Sequence, residues 1–320
     1  MESIVKTLKL LGHPARLRIL VVLQRGELTV SELTTVLGMS QPRVTQYIGA
    51  LEEGGLVERL REGSWVFVRL RSDARAGLLG EVLRKVPADD ETLRGDLARL
   101  SDVRAARAEV SERFFADVAN NRGQLSHEFL PSEPTERAML AAVGSAPVSL
   151  MVDLGTGSGR MLELFSTRVA RGLGIDRSAD MLRVARHKLA GDAHRHLSVE
   201  MGSADDTGLA DGAADLVTIH QVLHYLDEPG AVLAEAARIL APGGRLLIAD
   251  FSLHDRDAFR DDFAHRRLGF SEQELSALLS EHGLSEASVT RIESRSDDTP
   301  DVLVWSATGP GAAQTLRRAS

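Results

Sequence analysis

Apolar residues recur at helical spacing through the first fifty positions. Ile4, Leu8 and Leu11 form one stripe, and Pro14 opens a second segment with Leu17, Leu20 and Leu23 that Gly26 ends. Val30, Leu33 and Leu37 mark a short third helix closed by Gly38. Ser40 then stands at an N-cap position with Pro42 in the first turn, and Val44, Ile48 and Leu51 follow at i, i+4, i+7. The other face of this fourth segment carries Gln41, Arg43, Thr45, Gln46 and, at its edge, Tyr47. Past Gly54-Gly55 the period shortens to that of strands, 56–60 and 64–70, joined by Arg61-Glu62-Gly63. Leu78, Leu79, Val82 and Val86 form a further apolar stripe, and 91–119 reads as one or two connecting helices.

From Val148 the pattern alternates strand and helix. Strands are expected at 148–154, 172–175, 197–200, 215–219 and 245–251, with helices after the glycine loop 155–159 and over 178–189 and 231–240. Two last strand runs, 286–293 and 302–307, have no helix between them and predict an antiparallel hairpin. The fold class is α/β: a winged helix-turn-helix N-terminal domain followed by a Rossmann-like, doubly wound parallel sheet. Domain bounds are expected at 1–86, a helical connector and dimerisation region at 87–110, the α/β domain at 111–308 and a flexible tail at 309–320.

Composition narrows the chemistry. There are no cysteines, which removes disulfides, thiolate metal sites and a thiol nucleophile. Aromatics are only 4%, too sparse for a base-stacking surface on single-stranded nucleic acid. No apolar run reaches membrane-spanning length and Met1-Glu2-Ser3 opens no secretory pattern, so a soluble, cytoplasmic protein is expected. The net charge of −8 divides into +4 over residues 1–86 and −12 over 87–320, so only the head is suited to a polyanion. A helix presenting amide, hydroxyl and guanidinium groups reaches major-groove base edges, and Arg59, Arg61 and Arg69 on the hairpin can neutralise phosphates.

The head resembles the ArsR-type winged-helix repressors through H-P-x-R-L-x-I-L from His13, G-E-L-x-V-x-E-L from Gly26, S-Q-P-x-V from Ser40 and E-x-G-L-V-x-R-x-R-E-G from Glu53. The resemblance implies a double-stranded DNA operator as partner and recognition by the helix from Ser40 to Leu51. It also implies a wing tip at Glu62-Gly63 and a homodimer built through the first helix and the helix after the wing. Many relatives sense metals through a cysteine pair ahead of the recognition helix. Thr29 and Ser31 stand there in this chain, so a different signal is required.

In Val152-Asp153-Leu154-Gly155-Thr156-Gly157-Ser158-Gly159, a strand runs into three alternating glycines that let backbone approach a ligand at a helix N-terminus. Asp153 can hold an ammonium, and Asp176, 21 residues after Gly155, can accept two ribose hydroxyls. NAD-binding proteins share this logic. The GxGxG spacing, the acid ahead of the loop and the closing hairpin favour S-adenosylmethionine. The runs VDLGTGSG, GIDRSADML, DGAADLVTIHQVLHYLDEP, EAARILAPGGRLLIADF and FAHRRLGFSEQEL are together similar to the class I S-adenosylmethionine-dependent methyltransferases, the last being of the kind found where an ArsR-type head is fused to such a domain. That resemblance implies S-adenosylmethionine or S-adenosylhomocysteine held by Asp153, Gly155, Thr156, Gly157, Gly159, Asp176, Arg177, Met181, Ser203, Ala204, Asp205 and His220. Relatives often carry an acid where Ser203 stands, and Asp205 is the alternative partner for the adenine amino group.

His220 and His224 lack the glutamate of HExxH and a third ligand, so no metal is expected; they either line the pocket or pack. His265-Arg266-Arg267 reads as a solvated or interdomain face, and Phe114-Phe115 as core packing or a pocket cap. Methyl transfer is an in-line displacement needing no universal acid or base, so the catalytic residues are not legible. Two functions follow. In one, the second domain senses its adenosyl ligand and controls DNA binding; in the other, it is a working methyltransferase with a small-molecule acceptor.

Overall fold

The computed structural model describes residues 2–62, 64–71, 74, 77–87, 89–120, 132–144, 147–294 and 299–309. The chain divides into two units, Met1–Val110 and Ser111–Ser320.

In the first unit, α1 (Glu2–Leu11), α2 (Pro14–Leu23), α3 (Val30–Leu37) and α4 (Gln41–Glu53) precede the antiparallel strands β2 (Val57–Glu62) and β3 (Trp65–Leu70). A two-residue strand, β1 (Leu28–Thr29), pairs with β3 and was not expected, because two residues carry no periodicity. Ile19, Leu20, Leu33, Val44, Ile48, Leu51 and Val68 are fully buried together and form the core. Thr29 caps α3 in a reciprocal capping box with Glu32, so the place of a metal-binding cysteine is taken by a structural cap. Ser40 is the N-cap residue of α4, but its side chain makes no capping bond. The wing differs from expectation: Glu62 pairs with Trp65, so Arg61 and Glu62 belong to β2 and the connection shrinks to Gly63-Ser64. Gly63 itself lies outside the described residues. The next helix, α5, is shorter than the stripe implied, Leu78–Arg84, with Leu79 and Leu83 turned into the core.

A single helix, α6 (Glu91–Asn120), spans the segment read as one or two connecting helices over 91–119. Its first half is tied to α3 at both ends. Buried Asp96 takes Arg18 at 2.6 Å and Arg99 at 2.6 Å, and those arginines donate to the carbonyls of Leu37 and Val36. Arg107 Nε reaches Glu32 at 2.8 Å.

In the second unit, α7 (Ser132–Val143) leads into a seven-stranded sheet. Its strands are β4 (Val148–Leu154), β5 (Val169–Asp176), β6 (Leu197–Met201), β7 (Ala214–His220), β8 (Leu240–Phe251), β9 (Ser285–Ile292) and β10 (Val302–Thr308). The order is β6-β5-β4-β7-β8-β10-β9. The first five run parallel, and β10 is antiparallel to both β8 and β9. Strand β8 starts at Leu240 rather than Arg245, straight after α10 (Pro229–Ile239). The helices α8 (Arg160–Phe165), α9 (Ala179–Lys188), α11 (Ala258–Phe263) and α12 (Glu272–Glu281) complete the unit. Residues 310–320 of the expected tail lie outside the described residues. Among the described residues, no helix is long and apolar enough to cross a membrane.

Candidate ligand site and nucleic-acid interface

Strand order reverses at β4, with β5 on one side and β7 on the other, so the C-terminal ends of these strands open a crevice. The glycine loop lies there. Gly155 has φ +73, and a Cβ on it would meet Val222 Cγ2 at 2.4 Å, so only glycine lets the loop pass beneath Val222. Gly174, absent from the sequence reading, serves the same end: a Cβ there would strike Thr156 Oγ1 at 2.5 Å. The amides of Gly155 and Thr156 both donate to the Ile175 carbonyl, pinning the loop to β5.

Two carboxylates flank this loop. Asp153 is buried at the end of β4 and accepts from the Thr218 hydroxyl at 2.6 Å. Burial lifts its pKa to about 6, against the hydroxyls of Thr218 and Thr156. Raised from an unfolded value of 3.8, it stabilises the fold while protonated, and that contribution is lost as pH rises through the window up to about 6. Relative to Asp153→Asn, the wild type is expected to lose about 3 kcal/mol across that window and to stay level above it, read by denaturant melts. Asp176 accepts from the Gly157 amide at 2.7 Å through one oxygen and from the Ser178 amide at 2.8 Å through the other. The Arg177 amide bears on the same carboxylate, so the acceptor position that remains is open to a ribose hydroxyl.

Met181 lies on α9 beside the loop, with its Cε 3.4 Å from where a Gly157 Cβ would stand. Arg177, Ser203 and Asp205 form one exposed cluster: Arg177 Nε meets Ser203 Oγ at 3.0 Å and a second nitrogen meets Asp205 at 3.1 Å. Burial raises the Asp205 carboxyl, but the Ser203 hydroxyl and Arg177 outweigh it and leave the pKa below its usual value. Gly159 caps α8, Ala204 is half-buried next to that cluster, and His220 ends β7 with its pKa drawn down to about 4 by burial.

The stretch 265–267 corrects the expectation of a solvated face. His265, Arg266 and Arg267 are 5%, 7% and 1% exposed. Arg267 donates to Glu274 at 2.6 Å and lies over the Phe270 ring at 4.7 Å, while Arg266 pairs with Asp227 at 3.0 Å. Sequence reasoning also missed Asp250, which ends β8 as Asp153 ends β4 and binds His224; an acid closing an apolar strand was its signal.

In the first unit, Gln41, Arg43, Thr45 and Gln46 are exposed along one face of α4, and Val44, Ile48 and Leu51 hold the opposite face in the core. Tyr47 is half-buried and packs on the His13 ring at 4.8 Å. On the hairpin Arg61 is exposed, Arg59 pairs with Glu52 at 3.3 Å, and Arg69 is committed to Glu58 at 2.7 Å.

Comparison with known proteins agrees with both halves. The family described as "Bacterial regulatory protein, arsR family" matches residues 13–59, and the family described as "Methyltransferase domain" matches 152–248. The biofilm growth-associated repressor of Agrobacterium fabrum is 40% identical over 86 residues, covering 27% of this chain and 74% of its own length. The demethylmenaquinone methyltransferase of Thermobifida fusca is 33% identical over 151 residues, covering 47% of this chain and 61% of its own. The chain thus spans less than two thirds of that enzyme, and 46% of a 37.1 kDa protein of transposon TN4556 from Streptomyces fradiae. The N-methyltransferase NodS of Bradyrhizobium japonicum, solved with S-adenosyl-L-homocysteine, shares the fold at TM-score 0.53 and 20% identity, over 62% of this chain and 98% of that one. Through its N-terminal unit the chain belongs to the arsR family of bacterial regulatory proteins, joined here to a methyltransferase domain.

Proposed function

We propose that the protein is a DNA-binding regulator whose methyltransferase-type unit takes S-adenosylmethionine or S-adenosylhomocysteine as its signal. The observation that carries this reading is the glycine loop flanked by Asp153 and Asp176. One carboxylate is set for an ammonium, and the other keeps acceptor capacity for a ribose hydroxyl beside its three backbone partners. With no cysteine in the chain and Thr29 used as a helix cap, the loop is the place left for a signal. NodS, of the same fold, was solved in complex with S-adenosyl-L-homocysteine, which supports the ligand class. Calorimetric titration of both ligands into the full chain tests it. The reading predicts saturable binding of at least one and fails if neither binds.

DNA contact falls to the exposed face of α4, with Gln41, Arg43, Thr45 and Gln46 meeting base edges and Arg61 and Arg59 the phosphates. Arg43→Ala is expected to cost about 1–3 kcal/mol of DNA affinity while leaving adenosyl-ligand affinity unchanged, a difference that gel-shift and calorimetry read separately. The homodimer is assigned to α1, where Ile4, Val5 and Leu8 are 59%, 43% and 48% exposed, and to Leu78 of α5. Leu8→Glu is expected to give a monomer in sedimentation and to weaken DNA binding by about 100-fold, since one head then holds one half-site.

A further inference from the structure

Beyond the glycine loop, the same sheet edge holds a second constellation that the regulator reading does not use. Strand β7 ends at His220 and the chain turns sharply through Gln221, whose φ of +57 is strained for a residue with a side chain. Val222 then packs on Gly155, and His224 follows two residues later. From β8, Asp250 fixes this turn. One of its oxygens accepts from His224 Nδ1 at 2.7 Å and from the Phe251 amide at 2.8 Å, and the other accepts from the Leu223 amide at 3.0 Å. A carboxylate taking two backbone N–H groups is acceptor-only, so His224 donates from Nδ1, and in the neutral ring Nε2 carries the lone pair. That Nε2 is buried and has no partner.

His224 does not stand alone. His265 lies against it at 4.0 Å between ring centres, and His254 adjoins Phe259 at 5.0 Å. His265 Nδ1 and His254 Nε2 are likewise buried without a partner. Around them stand Tyr225, Phe115, Phe251 and Phe259. Buried polar groups are as a rule hydrogen-bonded, so three orphaned imidazole nitrogens in one aromatic cluster ask for a bound molecule. The charged and titratable groups facing His224 are few. Asp250 is the anion. Burial drives His254 down to about 4, lowers His265 further and draws His220 to about 4, so these rings are neutral; burial also keeps the Tyr225 phenol protonated. Among the arginines of the packed segment, Arg260 is occupied by the Arg266 carbonyl and Asp257, Arg266 by Asp227 and Arg267 by Glu274.

We infer that this cluster is a methyl-acceptor chamber for a flat, neutral aromatic compound bearing a hydroxyl group, with His224 as its proton acceptor and Asp250 as the positioning residue. The inference rests on the adenosyl reading of the adjoining loop. As the acceptor oxygen bonds the methyl carbon and the S–CH3 bond breaks, the hydroxyl proton passes to His224 Nε2. The products are an aryl methyl ether and S-adenosylhomocysteine. The imidazolium, held by Asp250, returns its proton to water.

The test uses the full chain saturated with S-adenosylhomocysteine and titrated with 1-naphthol and with catechol at about pH 7, where a free phenol with pKa near 10 is neutral. Wild type is expected to bind one of them as the neutral phenol, its hydroxyl hydrogen-bonded to His224, seen as a red-shifted difference band. His224→Gln and Asp250→Asn should keep their S-adenosylhomocysteine affinity and lose the band. With S-adenosylmethionine instead, aryl ether formation should slow by about 10²–10³-fold in His224→Gln, and its rise with pH should flatten. An undiminished band in His224→Gln, or no binding of either phenol to the loaded wild type, overturns the inference. A wild type that takes up no S-adenosylhomocysteine overturns the loop reading instead, and this inference with it.

Discussion

Gly157→Arg is expected to abolish binding of both adenosyl ligands, by 100-fold or more, while the second unit still folds. Gly157 adopts φ +50, which disfavours any side chain, and its amide holds Asp176. Yet a Cβ there meets only Met181 Cε, at 3.4 Å, an ordinary contact. The arginine side chain would therefore extend into the crevice where the ligand would lie rather than into the core. Its guanidinium would also compete for the Asp176 oxygens meant for a ribose. Calorimetry for binding and a thermal melt for folding separate the two effects. Retained affinity would show that the ligand does not sit on this loop.

The second large effect concerns the first unit. Asp96→Ala is expected to destabilise it by about 3 kcal/mol, the lower end of the range for breaking a buried ion pair, because Arg18 and Arg99 keep some contact with water. Asp96 is fully buried between the two arginines, which also hold the carbonyls at the end of α3. Without the carboxylate both guanidiniums remain against a partly buried surface, uncompensated. Since α3 braces α4, the variant should lose DNA affinity together with stability. Equilibrium urea denaturation checks the first consequence and a gel shift the second. Asp96→Asn, which keeps the shape and some hydrogen bonds, should fall between wild type and alanine.

That the first of these predictions could be drawn from sequence and the second could not illustrates where legibility ends. The heptad-like stripes of α2 and α4, the period-two runs of the sheet and the loop from Gly155 to Gly159 depend on local spacing, which a single chain displays openly. Arg18 and Asp96 lie 78 residues apart, and His224 and Asp250 lie 26 apart. Such pairs leave no periodic trace. The error over 265–267 has the same root: a His-Arg-Arg run reads as solvated until Glu274, Asp227 and the Phe270 ring are seen beside it. Gly174 was invisible for another reason, since its need arises from Thr156 on a neighbouring strand turn. Strand ends at Glu62 and Leu240 moved because pairing with Trp65 and Ala214 extends them past the residues whose own propensity favours a turn.

Within the first unit Arg99 and Arg107 brace α6 against α3, and within the second Phe114 and Phe115 pack on Tyr225. For a ligand of the second unit to control DNA binding, the protein must exchange between two states that differ in affinity for both. A ligand moves such an equilibrium only by the difference in its affinity for the two states. The most direct measurement is DNA affinity, on an operator selected from a random pool, at increasing S-adenosylmethionine and, separately, S-adenosylhomocysteine. The account predicts a change of about 5–150-fold with at least one of them, and its loss in Gly157→Arg. Saturating binding of both ligands with DNA affinity unchanged would contradict it.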